Sequence, residues 1–369
     1  MALFIAGLFA SCQNTPTAQT EEFAAISPTA PGFTYTGRFD FTDSAAVRFA
    51  WSGSQIQCRF EGTRCVLRMD CIPQGKEADG SSRANYFRIA IDDRPPFILV
   101  TEEGKTEYLL ADSLPEGAHT LSVFKRTEAE VGTAVFRGLK LSPGKSLLQP
   151  AALPSLKIEF IGNSITCGYG NEGENRDCHF SSETENAWET YSAITARNLK
   201  AQYVSVCFSG RGVVQNYNRS TIGTMPELFE KIVPGEDTSP WDFSQYIPDI
   251  VVINLGTNDF AHANPDPASF VSAYAHFLQT IRSHYPQAKI VCLTGPMMTN
   301  DGSRKPISTL KKHIDEAISR LRTNGQEDIF RFDLTTQGSL GYGCDWHPNL
   351  AQHRLNADEL TAFLRSLEK

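Results

Sequence analysis

A serine, a histidine, an asparagine amide and a free backbone N–H are the parts of an acyl-transfer site. This chain sets each of them beside a turn. Ser164 stands in Ile158–Gly170, IEFIGNSITCGYG, where an apolar run is broken by Gly162 and Asn163. A serine on a tight glycine-flanked turn past a buried strand has its hydroxyl held out at the carboxyl edge of a sheet, where open α/β sheets place their ligands. The pattern is not Gly-x-Ser-x-Gly, so it is not a nucleophile elbow, and by itself it fits an ordinary turn as well. Three more stretches change that reading: Cys207-Phe208-Ser209-Gly210-Arg211-Gly212, Leu255-Gly256-Thr257-Asn258-Asp259 and Cys344-Asp345-Trp346-His347-Pro348-Asn349. If all four converge, the serine attacks, the histidine takes its proton and the amide groups receive the oxyanion.

The surrounding elements predict that convergence. From Ile158 onward, continuous apolar runs alternate with helical periods. Strands are expected at Ile158, Tyr203–Phe208, Ile250–Leu255, Lys289–Thr294 and Ile329–Leu334. Helices are expected over Glu185–Leu199, Pro267–His284, Ile307–Thr323 and Leu350–Leu367. Such alternation means a five-stranded parallel sheet covered on both faces, a three-layer α/β domain. Each of the first three blocks follows one of these strands and the fourth precedes the last helix, so residues far apart in sequence share one sheet edge.

Upstream the period changes. Phe33 to Leu141 contains short, partly alternating runs such as QIQCRFEG and HTLSVFKRT, separated by Gly, Pro and Asp turns. They predict a β-sandwich of jelly-roll type. The Pro- and Gly-bearing segment SPGKSLLQPAALP joins the two halves. At the N-terminus, the apolar run Ala2–Ala10 ends in Ser11-Cys12 and is followed by a polar stretch. It resembles a bacterial lipoprotein signal with Cys12 as the acylated residue, the alternative being an ordinary secretory signal.

The four blocks, in order, resemble the SGNH hydrolase superfamily, the GDSL esterases. The resemblance implies Ser164 as nucleophile, His347 as general base, and an oxyanion hole from the N–H groups of Ser164 and Gly210 with the Asn258 side chain. The superfamily's acidic residue stands three positions before the histidine, a place held here by Cys344. Asp345, two positions before it, is the triad member expected; the alternative is a backbone carbonyl near Cys344. The β-sandwich, Ser209-Gly210-Arg211-Gly212 and Cys344-Asp345-Trp346-His347-Pro348 together resemble carbohydrate esterase family two. That implies removal of acetyl groups from plant polysaccharides such as xylan and glucomannan, with no cofactor and no metal. Rival readings are an esterase of other small acyl or lipid esters and a non-catalytic glycan-binding lipoprotein. The expected domains are a lipoprotein signal over 1–12, a polar tether over 13–30, the jelly-roll sandwich over 31–145, a linker over 146–155 and the SGNH domain over 156–369.

Trp346 and Phe260 flank two blocks and are candidate sugar-stacking rings, with ordinary packing as the alternative. Asp259 reads as a loop-structuring carboxylate and His353 as structural. Arg211 either braces its loop or meets substrate. The remaining histidines show no metal-ligand spacing. Of the cysteines, Cys167 and Cys178 flank one loop and are a candidate pair, although connectivity does not follow from spacing. A formal charge of −8 argues against a nucleic-acid partner. With 41% apolar and 21% charged residues, the composition is that of a soluble globular protein. The expected form is a monomer exported to the periplasm or outer membrane.

Overall fold

The computed structural model describes residues 23–235, 240–300, 302–323 and 325–367. The apolar leader and Cys12 lie outside them. Alternation shapes the first domain: Gln55–Glu61 buries Ile56, Cys58 and Phe60 and turns its other side chains outward, the period-two mark of a strand with one face on a core. The strands are β1 (Ala24–Ile26), β2 (Phe33–Thr36), β3 (Val47–Phe49), β4 (Gln55–Glu61), β5 (Cys65–Pro73), β6 (Tyr86–Ile91), β7 (Phe97–Val100), β8 (Glu107–Ala111), β9 (Ala118–Lys125), β10 (Gly132–Leu141) and β11 (Leu147–Leu148). One antiparallel sheet runs β1-β10-β5-β8 with β3 on β10. The other runs β11-β4-β9-β6-β7 with β2 on β4. Phe49, Phe60, Leu67, Phe87 and Phe136 fill the space between them.

The sandwich takes in more chain than its sequence pattern indicated. β1, inside the stretch expected as a tether, pairs Ala24–Ile26 with Leu139–Leu141. β11, inside the expected linker, pairs Leu147 with Phe60. Runs of three and two residues are too short to display alternation.

The second domain is a parallel sheet in the order β13 (Gln202–Cys207), β12 (Lys157–Gly162), β14 (Ile250–Asn254), β15 (Lys289–Thr294), β16 (Ile329–Asp333). Its helices are α1 (Ser164–Cys167), α2 (Tyr191–Asn198), α3 (Met225–Leu228), α4 (Pro267–His284), α5 (Pro306–Thr323) and α6 (Leu350–Ser366). α4 and α5 bury Phe270, Phe277, Leu310 and Ile314 on one face. α2 and α6 bury Tyr191, Ile194, Leu360 and Leu364 on the other. The helix expected from Glu185 starts only at Tyr191: Asn186 caps a separate 3-10 turn and Thr190 caps α2, its side chain accepting the Ala193 N–H. The strand order reverses between β12 and β14, the topological switch point where such sheets bind ligands. Ser164 follows the first of these strands and Asn258 the second.

The two domains share a core. Trp51 of the sandwich is fully buried among the residues of the α/β core, and its indole N–H donates to the Ile232 carbonyl at 2.8 Å. Arg38, also fully buried, pairs with Glu159 of β12 at 3.2 Å, donates to the Phe229 carbonyl and lies over the rings of Phe229 and Trp241.

Candidate active site

The nucleophile turn admits little besides its own sequence. A Cβ on Gly162 would meet Thr166 Oγ1 at 2.0 Å. The Asn163 side chain accepts the Ile165 N–H at 3.1 Å, capping the single turn that Ser164 begins. Gly168 closes that turn in the left-handed region at φ 93°. His347 Nε2 lies 2.8 Å from Ser164 Oγ. Nδ1 of the same ring lies 3.2 Å from the Cys344 carbonyl and 3.1 Å from the Asp345 carbonyl. Carbonyls only accept, so Nδ1 carries the proton and Nε2 is left to accept from the serine hydroxyl. Burial pushes the imidazole down to about 4, with the two carbonyls acting against that shift. It is therefore neutral at neutral pH, the state a general base requires.

The Asp345 carboxylate does not reach this ring, which corrects its expected place in a triad. It accepts the Tyr169 hydroxyl at 2.8 Å and the Phe180 N–H at 3.0 Å, and it meets His179 Nδ1 at 2.8 Å. Burial raises this carboxyl, but the hydrogen bonds from His179, Tyr169 and Phe180 outweigh burial and hold it below the usual range. The cause of the reorientation is backbone shape. Asp345 and Trp346 both sit in the left-handed region, at φ 48° and 64°, so two peptide carbonyls rather than a carboxylate face the imidazole. Each such residue costs about 1–3 kcal/mol, and the surroundings enforce it. Cys344 N–H donates to Gly170 and Asp345 N–H to Cys178, both at 2.9 Å, and Cys178 is disulfide-bonded to Cys344. The candidate pairing of Cys167 with Cys178 is thus corrected too; Cys167 is a buried thiol. Tyr169, whose ring stacks on His347 with centroids 4.1 Å apart, was missed in the sequence. Its place between Gly168 and Gly170 was the only signal.

On the opposite side of Ser164, Gly210 adopts φ 74°. The N–H groups of Ser164 and Gly210 have no acceptor among the described residues, and both residues line one cavity with Asn258. One N–H of the Asn258 amide donates to the Arg211 carbonyl at 2.7 Å, which fixes the amide and leaves its second N–H available. Asp259 accepts the N–H groups of Val213, Val214 and Gln215 at 3.0, 2.7 and 3.1 Å, a loop-structuring geometry. Burial pushes its carboxyl up to about 6. The Arg211 guanidinium lies 4.6 Å over the Phe208 ring and braces the same turn. His353, buried on α6, accepts the Tyr191 N–H at 3.1 Å.

The cavity holds about 740 Å³. Trp346 stands half exposed at it, with Arg176 4.2 Å over its ring. Phe260 is not a stacking wall: it is 2% exposed and packs edge-on against Phe270. The second exposed ring at the cavity is Tyr217, 58% exposed, which the sequence did not single out. Glu130, from the sandwich, also lines the cavity.

Comparison with known proteins agrees with this arrangement. Residues 35–150 match the family described as carbohydrate esterase 2 N-terminal, and residues 160–355 match the GDSL-like lipase/acylhydrolase family. The chain superposes with a TM-score of 0.82 and 36% identity on a family two carbohydrate esterase from Clostridium thermocellum in complex with cellohexaose, covering 91% of this chain and 99% of that one. The chain belongs to carbohydrate esterase family two. This places the chain among carboxylic ester hydrolases. It is 38% identical over 339 residues to the cellulase/esterase CelE of Acetivibrio thermocellus, matching 91% of this chain but spanning only 39% of that longer protein. An acetylxylan esterase/glucomannan deacetylase of Cellvibrio japonicus is 28% identical over 97% of this chain and 94% of its own length.

Proposed function

We propose that this esterase removes O-acetyl groups from acetylated plant cell-wall polysaccharides, xylan or glucomannan, through an acetyl-serine intermediate. The observation that carries the reading is the 2.8 Å contact of Ser164 Oγ with His347 Nε2, set in a cavity with two exposed aromatic rings. His347 Nε2 takes the hydroxyl proton as Oγ attacks the acetyl carbonyl. The N–H groups of Ser164 and Gly210 and the Asn258 amide receive the oxyanion. Collapse expels the sugar alcohol with the proton from His347. Water, deprotonated by the same ring, then attacks the acetyl-serine, and acetate leaves as Ser164 recovers its proton. Trp346 and Tyr217 offer apolar faces for sugar rings beside the scissile ester, and the names of the Cellvibrio japonicus relatives support an acetylated glycan as substrate.

The test is acetate release from acetylated xylan and acetylated glucomannan. Wild type is expected to release acetate and Ser164→Ala to lose about ten-thousand-fold or more. Release that survives Ser164→Ala, or faster hydrolysis of long-chain acyl esters than of acetyl esters, would overturn the proposal.

We propose further that the protein works outside the cytoplasm as a monomer held to a bacterial membrane through a lipid on Cys12. The leader sequence supports this, and so does the Cys178–Cys344 disulfide, because such bonds persist in oxidising compartments. Labelled palmitate should enter the wild-type protein and not Cys12→Ser; equal labelling of both would reject the anchor.

A further inference from the structure

The loop between β9 and β10 carries a carboxylate that no step above uses. Glu128, on the sandwich, is fully buried against the α/β domain. Its Oε2 accepts the Ser209 backbone N–H at 2.8 Å, and its Oε1 accepts the Ser209 hydroxyl. Cys167 Sγ donates to it at 3.5 Å. Ser209 immediately precedes Gly210. The loop holding Glu128 is itself pinned: Lys125 Nζ donates to the Glu128 carbonyl at 3.0 Å, the Glu128 N–H donates to Glu185 at 2.9 Å, Ala187 N–H donates to the Arg126 carbonyl at 3.0 Å, and Arg126 pairs with Glu172.

This arrangement is costly. The carboxylate oxygens of Glu128 and Glu185 and the Cys167 sulfur lie within 4.8 Å of one another, all buried. Two carboxyl groups so close in a dry site resist ionisation, and burial does push the Glu128 carboxyl up, to about 6. A fold that only needed filling here would gain stability from neutral side chains. A charge kept at such a site, beside reacting groups, points to function.

We propose that Glu128 is a positioning residue: by accepting both donors of Ser209 it fixes the residue from which the peptide bearing the Gly210 N–H extends, so that the β-sandwich sets the oxyanion hole of the other domain. The inference rests on Gly210 N–H being an oxyanion donor. A donor carried on a turn anchored at both ends needs no reorganisation as charge develops on the substrate oxygen, and that is where oxyanion donors contribute most. Asp259 and Asn258 hold this turn from the α/β side, and Glu128 holds it from the sandwich.

The test compares Glu128→Gln with wild type on 4-nitrophenyl acetate, with methylboronic acid as a probe whose tetrahedral adduct on Ser164 presents an oxygen to the same donors. Expected are a kcat lower by about tenfold to a hundredfold, a KM within about threefold, and a boronate Ki weaker by the same factor as kcat/KM. Wild-type kcat, or a lowered kcat with unchanged boronate Ki, would overturn the inference. Should Glu128→Gln not fold, Ser209→Ala removes only the hydroxyl donor and is expected to lower kcat and weaken boronate about threefold; wild-type values there would overturn it equally. If Asn258→Ala also keeps wild-type kcat and boronate Ki, the oxyanion assignment itself is what has failed.

Discussion

The two loops that meet at Ser164 are held by different means. The histidine loop is held by a disulfide at Cys344 and two left-handed residues, which set peptide carbonyls against the imidazole and turn the Asp345 carboxylate away onto Tyr169 and Phe180. The oxyanion turn is held by carboxylates, Glu128 from one domain and Asp259 from the other, each accepting backbone N–H groups. Asp345, Glu128 and Asp259 all lie close to this site, yet none of their carboxylates accepts from the imidazole. The difference teaches where charge matters here. A carboxylate on His347 would raise its basicity and stabilise the imidazolium; spent on the turn, the same charge fixes donors instead.

Three experiments press on that contrast. The largest effect is expected from Asn258→Ala, which removes a donor outright and should lower kcat about a hundred- to a thousand-fold; a change of less than about threefold would move the weight of catalysis away from the carboxylate-held side. Asp345→Asn should cost only about tenfold in kcat, because the carboxylate braces Tyr169 and Phe180 rather than the ring; a loss of about ten-thousand-fold, the scale of a triad aspartate, would erase the contrast. The smallest effect concerns pH. Burial lowers the His347 pKa to about 4, so the base stays neutral on acidification until pH approaches that value. In Glu128→Gln, where the buried carboxyl that titrates near 6 is gone, the kcat/KM at pH 5.5 should lie within about twofold of that at pH 7, whereas an ordinary imidazole titrating near 6.5 would lose about tenfold. A limb near 6.5 would mean that the carbonyls stabilise the imidazolium as well as a carboxylate does.

The sheet was legible because its strands are continuously apolar and its helices amphipathic, and the site because each block sits at a strand end that topology must bring to one edge. What escaped reading was set by tertiary context. Nothing in Cys344-Asp345-Trp346-His347 announces two consecutive left-handed residues, so the direction of the Asp345 side chain could not be deduced. The bond from Cys178 to Cys344 spans a separation of 166 residues, beyond any spacing argument. Phe260 and Tyr217 are both aromatic residues near a block, and only packing separates the buried ring from the exposed one. Glu128 lies in an alternating β segment, where a charged residue at a turn reads as solvated.

The insertion of Arg38 and Trp51 into the neighbouring core bears on engineering. Cutting the polypeptide after the sandwich would take away the Glu159 counter-ion and uncover the apolar side chains that pack on Trp51. A trimmed catalytic fragment is therefore not a smaller enzyme but an unstable one. Chimeras that seek a new glycan preference should graft surface rings such as Tyr217, or exchange the pair of domains as one block.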